Sequence, residues 1–161
     1  MSYTLAVIDM QDHFLNRFEE MDQSNQRVFD NCKNEIAKAI SDNANILFVE
    51  YEEYGPTNPE LLGLVNDSSY NSFNQIIKID DNGSREIVKA VKKFGLPKKK
   101  IKICGINTEY CVYATVKGLL QAMRESKIEV LTDACDSPWD HEVGVEILEN
   151  LTEGYSNLKI K

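Results

Sequence analysis

None of the four cysteines, Cys32, Cys104, Cys111 and Cys135, lies in a CxxC pair or a cysteine–histidine ligand spacing. That excludes a disulfide framework and a zinc knuckle from the expectation, and the thiols are read as reduced. No GxGxxG follows the first apolar run and no GxxxxGK[ST] occurs, so the phosphate-cradling loops of dinucleotide and nucleoside-triphosphate sites are missing. The opening MSYTLAVIDMQ has only a short apolar run with no basic segment before it. It predicts neither a signal peptide nor a membrane span, and the expectation is a cytoplasmic protein with no membrane partner. Positive charge is scarce: 18 Lys and Arg stand against 26 Asp and Glu, a net charge of −8. That balance works against nonspecific nucleic-acid binding, which depends on neutralising phosphates. The one basic cluster, Lys92, Lys93 and Lys98 to Lys100, lacks interleaved aromatics and surrounds the turn signal Gly95-Leu96-Pro97, so it reads as a solvated connection.

The sequence does have enough apolar material for one sizeable core, 42% of 161 residues, and neither a repeat nor a linker divides it. A single domain over residues 1–161 is expected. Short β-branched runs alternate with segments of helical period, the pattern of an α/β fold with helices on both faces of a parallel sheet. Strands are predicted at Thr4 to Asp9, Asn45 to Tyr51, Gln75 to Ile79, Lys100 to Ile106, Lys127 to Thr132 and Asn157 to Ile160. Helices are predicted at Asn25 to Asp42, Ser84 to Phe94, Glu109 to Ser126 and Glu142 to Leu151. Between Glu52 and Asn74, Gly55-Pro56, Asn58-Pro59 and a polar stretch predict a loop with at most one short helix.

Ligands of open parallel sheets bind beyond the carboxyl ends of the strands, so polar residues there carry functional weight. Asp9 ends the apolar run Leu5-Ala6-Val7-Ile8, either as a catalytic carboxylate or as a cap of the following turn. Lys78 breaks a later apolar run; it either pairs with a carboxylate or thiolate, or guards a sheet edge. Cys111 lies where a strand gives way to a helix, in Gly105-Ile106-Asn107-Thr108-Glu109-Tyr110-Cys111-Val112. Free backbone N–H groups there would lower its pKa and offer an oxyanion hole, unless the residue is ordinary packing. Cys32 and Cys104 lie inside core runs and read as inert.

Ala6-Val7-Ile8-Asp9-Met10-Gln11-Asp12-His13-Phe14 and the segment Gly105 to Val112 together resemble the isochorismatase-like cysteine hydrolases, a superfamily that includes nicotinamidases and N-carbamoylsarcosine amidase. Thr132-Asp133-Ala134-Cys135 followed by His141 extends the resemblance over essentially the whole chain. It implies a three-layer, Rossmann-like fold with a six-stranded, mainly parallel sheet. It also implies a triad of Asp9, Lys78 and Cys111. A non-proline cis peptide would precede Asn107, turning the backbone N–H groups of Asn107 and Cys111 toward an oxyanion. A homo-oligomer and a small-molecule substrate are further implications.

Two departures shape the expectation. Ile79-Asp80-Asp81-Asn82-Gly83-Ser84 replaces the family's small residue and aromatic after the lysine. Phe48-Val49-Glu50-Tyr51-Glu52-Glu53-Tyr54 stands where nicotinamidases carry their metal ligands, so no metal or other cofactor is expected. The resulting expectation is a metal-independent hydrolase of a small amide, ureide or related compound, acting through a Cys111 thioester. The alternatives are a nicotinamidase, an inactive binding relative and a redox thiol. Phe14, Tyr51, Tyr54, Tyr110 and Trp139 are candidates for the substrate pocket. His13 and His141 are weighed as bases and set behind Asp9.

Overall fold

Residues alternate across the central strands with the two-residue period of a pleated sheet. In β1 (Thr4–Ile8) and β2 (Asn45–Tyr51), Leu5, Val7, Ile46 and Phe48 point to one face, and Ala6, Ile8, Leu47 and Val49 to the other. The structure, a computed structural model, describes residues 2–16, 23–66, 69–137 and 141–161. The remaining strands are β3 (Phe73–Lys78), β4 (Lys100–Ile106), β5 (Lys127–Asp136) and β6 (Leu158–Ile160). All pairings are parallel, in the order β3-β2-β1-β4-β5-β6.

The helices are α1 (Asp12–Leu15), α2 (Gln23–Ser41), α3 (Pro59–Asn66), α4 (Ser84–Phe94), α5 (Tyr113–Ala122) and α6 (His141–Leu151). α2 and α3 cover one face of the sheet through Val28, Phe29, Cys32, Ile36, Leu61 and Val65. α4, α5 and α6 cover the other through Ile87, Val91, Val116, Leu119 and Leu148. The result is a three-layer, Rossmann-like α/β fold. Among the described residues no helix is long and apolar enough to cross a membrane.

Strand order reverses between β1 and β4, the position where this class of sheet opens a crevice. Gly105 permits that junction. It pairs with Ile8, has φ of +124°, and a Cβ there would lie 2.0 Å from the Ile8 carbonyl oxygen. Only glycine fits such an approach.

Three sequence expectations need correction. The helix predicted over Glu109 to Ser126 is a π-helical turn, Thr108–Val112, followed by α5, which stops at Ala122. β5 continues past Thr132 to Asp136 because the chain bulges outward and then pairs again, Cys135 with Gly105 and Asp136 with Ile106. β3 starts two residues earlier than predicted, at Phe73, and stops at Lys78. The 52–74 segment holds one short helix, α3, as expected.

The basic cluster is partly structural. Lys100 lies 2.9 Å from the carboxylate of Glu129, which is 1% exposed and also lies 3.3 Å from both Lys127 and Lys161. Burial pushes the Glu129 carboxyl up, but hydrogen bonds from Lys100 and Lys161 and their charges outweigh it, holding the group at about 2 against an ordinary 4.5. A depressed acid stabilises the fold above its unfolded pKa and loses that contribution as pH falls toward its folded one. Stability should therefore drop between pH 4.5 and about 2. Glu129→Gln should lose roughly 1–2 kcal/mol at neutral pH, allowing for water around the half-exposed lysines, and should flatten the acid limb of urea-unfolding stability.

Candidate active site

Asp9 follows the last residue of β1 with φ of +52°. Aspartate is among the few non-glycine residues that tolerate this left-handed conformation. Its N–H still pairs with the Val49 carbonyl at 2.9 Å, and its own carbonyl accepts from Gln11 at 2.8 Å. The carboxylate is turned inward and fully buried. It caps nothing, and neither oxygen receives a well-directed hydrogen bond among the described residues.

What faces it is Lys78. β3 is an edge strand, yet the Lys78 side chain is 0% exposed, which removes the edge-guard reading. The side chain crosses over β2, with Nζ 3.9 Å from the centre of the Tyr51 ring. Nζ then lies 3.0 Å from Asp9 Oδ2, donates to the Asp80 carbonyl at 3.0 Å and lies 3.5 Å from Cys111 Sγ. The Asp9 contact is an ion pair by distance rather than a well-angled hydrogen bond.

Cys111 sits in the π-helical turn, in which Val112 N–H reaches back to the Asn107 carbonyl at 3.0 Å and Tyr113 N–H to Thr108. Its thiol is 3% exposed and donates to Asp81 Oδ1 at 3.5 Å. Local sequence predicts a lowered thiol pKa, and here the structure corrects the expectation. Burial is the largest effect and pushes the thiol up; Asp9 adds to it, and the opposing pull of Lys78 is smaller. Burial also raises Asp9, against the lowering effect of Lys78, to about 6 from an ordinary 3.8. The resting site therefore holds a neutral thiol beside a carboxylate that ionises near neutrality.

The peptide bond between Ile106 and Asn107 is cis. Asn107 is 7% exposed at the head of the π-helical turn. Phe14, Tyr51 and Tyr54 form one aromatic cluster with His13, with ring centres 6.4 Å apart for Phe14–Tyr51, 5.4 Å for Tyr51–Tyr54 and 4.4 Å for His13–Tyr54. Of these, Tyr51 touches the site directly, through Lys78. Tyr110 is 52% exposed, and Trp139 lies outside the described residues. His141 bonds Thr108 Oγ1 at 3.0 Å, steadying the π-helical turn from α6.

Two supporting residues escaped the sequence reading. Gln11 is fully buried and ties the end of β1 to the chain after β2, donating to the Tyr51 and Gly55 carbonyls and accepting from Tyr51 N–H. Asp81 reaches the thiol from the loop whose composition had looked only like a departure. The donor set for a metal does not fit after β2: Glu50 accepts from Thr57 N–H and the Gln75 amide at 2.8 and 2.9 Å. Among the described residues, no group of three or more His, Cys, Asp or Glu side chains is arranged to hold a metal ion.

Residues 3–152 match the family described as the isochorismatase domain. Among solved structures, nicotinamidase PncA from Bacillus subtilis superposes with a TM-score of 0.77 at 14% identity, covering 99% of each chain. An isochorismatase-like hydrolase from Alkaliphilus metalliredigens gives 0.72 at 17% identity, covering 92% of this chain and 82% of that one. The MAR1 ribonuclease from Caenorhabditis elegans gives 0.75 at 19% identity, covering 92% and 73%. No curated protein matches the sequence.

Lys78→Met should leave Asp9 buried without its cation, costing about 3–5 kcal/mol of stability where that carboxyl is ionised. An acid whose folded pKa is raised gives up stability as pH climbs from its unfolded toward its folded value. Urea unfolding of Lys78→Met should therefore show a deficit that grows as pH rises through about 6 and beyond. A deficit independent of pH would count against the pairing.

Proposed function

The chain belongs to the isochorismatase family, and from that membership we propose that it is a metal-independent cysteine hydrolase of a small amide, ureide or related compound. The observation that carries the reading is the convergence of Asp9, Lys78 and Cys111 from three separate strand ends, with the Asp9–Lys78 pair fully buried at 3.0 Å and Lys78 Nζ 3.5 Å from Cys111 Sγ.

Asp9 takes the thiol proton, and the Cys111 sulfur attacks the substrate carbonyl carbon. Lys78 stabilises the thiolate as it forms and holds the carboxylate in place. The backbone N–H groups of Asn107 and Cys111 receive the developing oxyanion. Asp9 gives its proton to the leaving nitrogen, the C–N bond breaks, and a thioester remains on Cys111. Water then attacks that thioester with Asp9 again as base, releasing the acid and restoring the thiol. An Asp9 carboxyl at about 6 suits both proton transfers, since it is mostly ionised at neutral pH yet can hold a proton transiently. The aromatic cluster around Tyr51 supplies an apolar wall for the substrate.

The redox reading is weaker on the same observation, because peroxide-sensing thiols are low-pKa and exposed whereas burial pushes this one up. The proposal carries a homo-oligomer as well: Ile77 and Ile79, 58% and 69% exposed beside the edge of β3, offer such an assembly apolar surface to bury.

A panel of amides, ureides and vinyl ethers, with nicotinamide among them, tests the chemistry. Intact mass should catch a transient acyl adduct on Cys111, and Cys111→Ala should lose at least about 10³-fold in kcat/KM. For a hydrolysed substrate, kcat/KM should fall with an acid midpoint near 6. Full activity in Cys111→Ala would overturn the mechanism.

A further inference from the structure

Asp81 occupies a position that the proposed reaction does not use. It lies in the short connection from β3 to α4, is exposed, and still places Oδ1 3.5 Å from the nearly buried Cys111 thiol. It therefore stands between the nucleophile and solvent. The connection that carries it is tightly held. Gly83 N–H donates to Thr115 Oγ1 at 2.9 Å, and that hydroxyl donates to the Asp81 carbonyl at 3.4 Å. Lys78 Nζ holds the Asp80 carbonyl from below, and the Asp80 and Asn82 side chains accept from Asn82 and Ser84 N–H at 2.7 and 3.0 Å. A side chain at Gly83 would press on Lys78 Cδ and Val49 Cγ1 at 3.1 Å, so the loop lies directly on the buried lysine.

Charge at this mouth is unbalanced. The Lys78 ammonium is matched by Asp9, the resting thiol is neutral, and among the described residues no ion pair joins Asp80 or Asp81. One full negative charge is left beside the nucleophile, with a second on the adjacent residue and the rings of Tyr51 and Tyr54 nearby. The Asp81 carboxylate is close enough to Tyr51 to help burial push that phenol up. The fully buried Asp9 carboxyl receives no well-directed hydrogen bond and lies close enough to the thiol to share its proton.

We infer that Asp81 is the specificity-determining residue of this site, favouring amide substrates that carry a positively charged nitrogen group near the scissile carbonyl and disfavouring carboxylates. The inference rests on Cys111 being the nucleophile. An ammonium or amidinium arriving at Asp81 displaces the thiol as its hydrogen-bond partner. The S–H is then left to Asp9, with which it already interacts, so binding the right charge also readies the nucleophile. A carboxylate in the same place would meet Asp81 without a cation to offset it.

The test uses size-matched cationic and anionic methanethiosulfonates, whose reaction with Cys111 needs no turnover. Cys32, Cys104 and Cys135 are fully buried, and Cys111→Ser supplies the background rate. Wild-type protein should label faster with the cationic reagent, and Asp81→Asn should reduce the cationic-to-anionic rate ratio by about 10- to 100-fold, the span expected for losing one charge-assisted contact. An unchanged ratio, or no labelling by the cationic reagent, would overturn the inference. The same ratio is then read as kcat/KM on amides differing only in charge. Amides hydrolysed with a ratio insensitive to Asp81→Asn would sink the role of Asp81 and leave hydrolysis standing. A labelling ratio that shifts while no amide is hydrolysed would sink hydrolysis and leave Asp81 as the charge filter of a reactive thiol.

Discussion

The burial of one ion pair governs the layout of this end of the molecule. Taking a carboxylate and an ammonium out of water costs several kcal/mol per ion, and the attraction between them offsets that only when geometry is tight and remaining polar atoms find partners. Asp9 and Lys78 are both fully buried, 3.0 Å apart. The loop after β3 wraps the lysine, giving it the Asp80 carbonyl, while the Tyr51 ring supports it from β2. Asp9 is less well served, since its oxygens lack directed hydrogen bonds. Burial raises its carboxyl to about 6, and the Lys78 charge and the thiol offset only part of that rise. A purely structural pair would be expected to fill those acceptors; a carboxylate meant to exchange a proton needs one empty.

That view changes how the cysteine is understood. A helix start with free N–H groups is commonly credited with making a thiolate. Here burial and the facing carboxylate win, and the thiol rests in its neutral form. In the proposed mechanism the backbone of the π-helical turn serves the oxyanion, while activation falls to Asp9. If the proton moves directly between the thiol and Asp9, as proposed, the thiolate need exist only as substrate is attacked. This protects the thiol from adventitious oxidation.

The sheet and its two helical layers were legible because they rest on repetition. Alternation in Leu5 to Ile8 and in Ile46 to Val49, and helical period in α2 and α4, place core residues by counting. Asp9 and Cys111 were legible as polar or reactive interruptions at strand ends, strengthened by the motif around each. Lys78 was ambiguous because β3 is indeed an edge strand, and only the return of residues 79–83 over its side chain buries it. Asp81 was hidden for a related reason: Asp80-Asp81-Asn82-Gly83 reads as a polar turn, and which of its carboxylates faces inward is set by Thr115 from α5. The π-helical turn was missed since its extra residue per turn leaves no mark on apolar spacing. Gln11 was missed because a buried amide clamping two strand ends looks, in sequence, like any polar residue after a strand.

The central claim is that a buried carboxylate, rather than a standing thiolate, readies Cys111. It is tested most directly by titrating thiolate ultraviolet absorbance, taking the difference between wild type and Cys111→Ser. The account predicts no thiolate from Cys111 in the resting protein up to and beyond about pH 8.5, the ordinary thiol midpoint. A Cys111 thiolate already formed at about pH 7 would contradict it, and would return the activation of the nucleophile to Lys78 and the helix start.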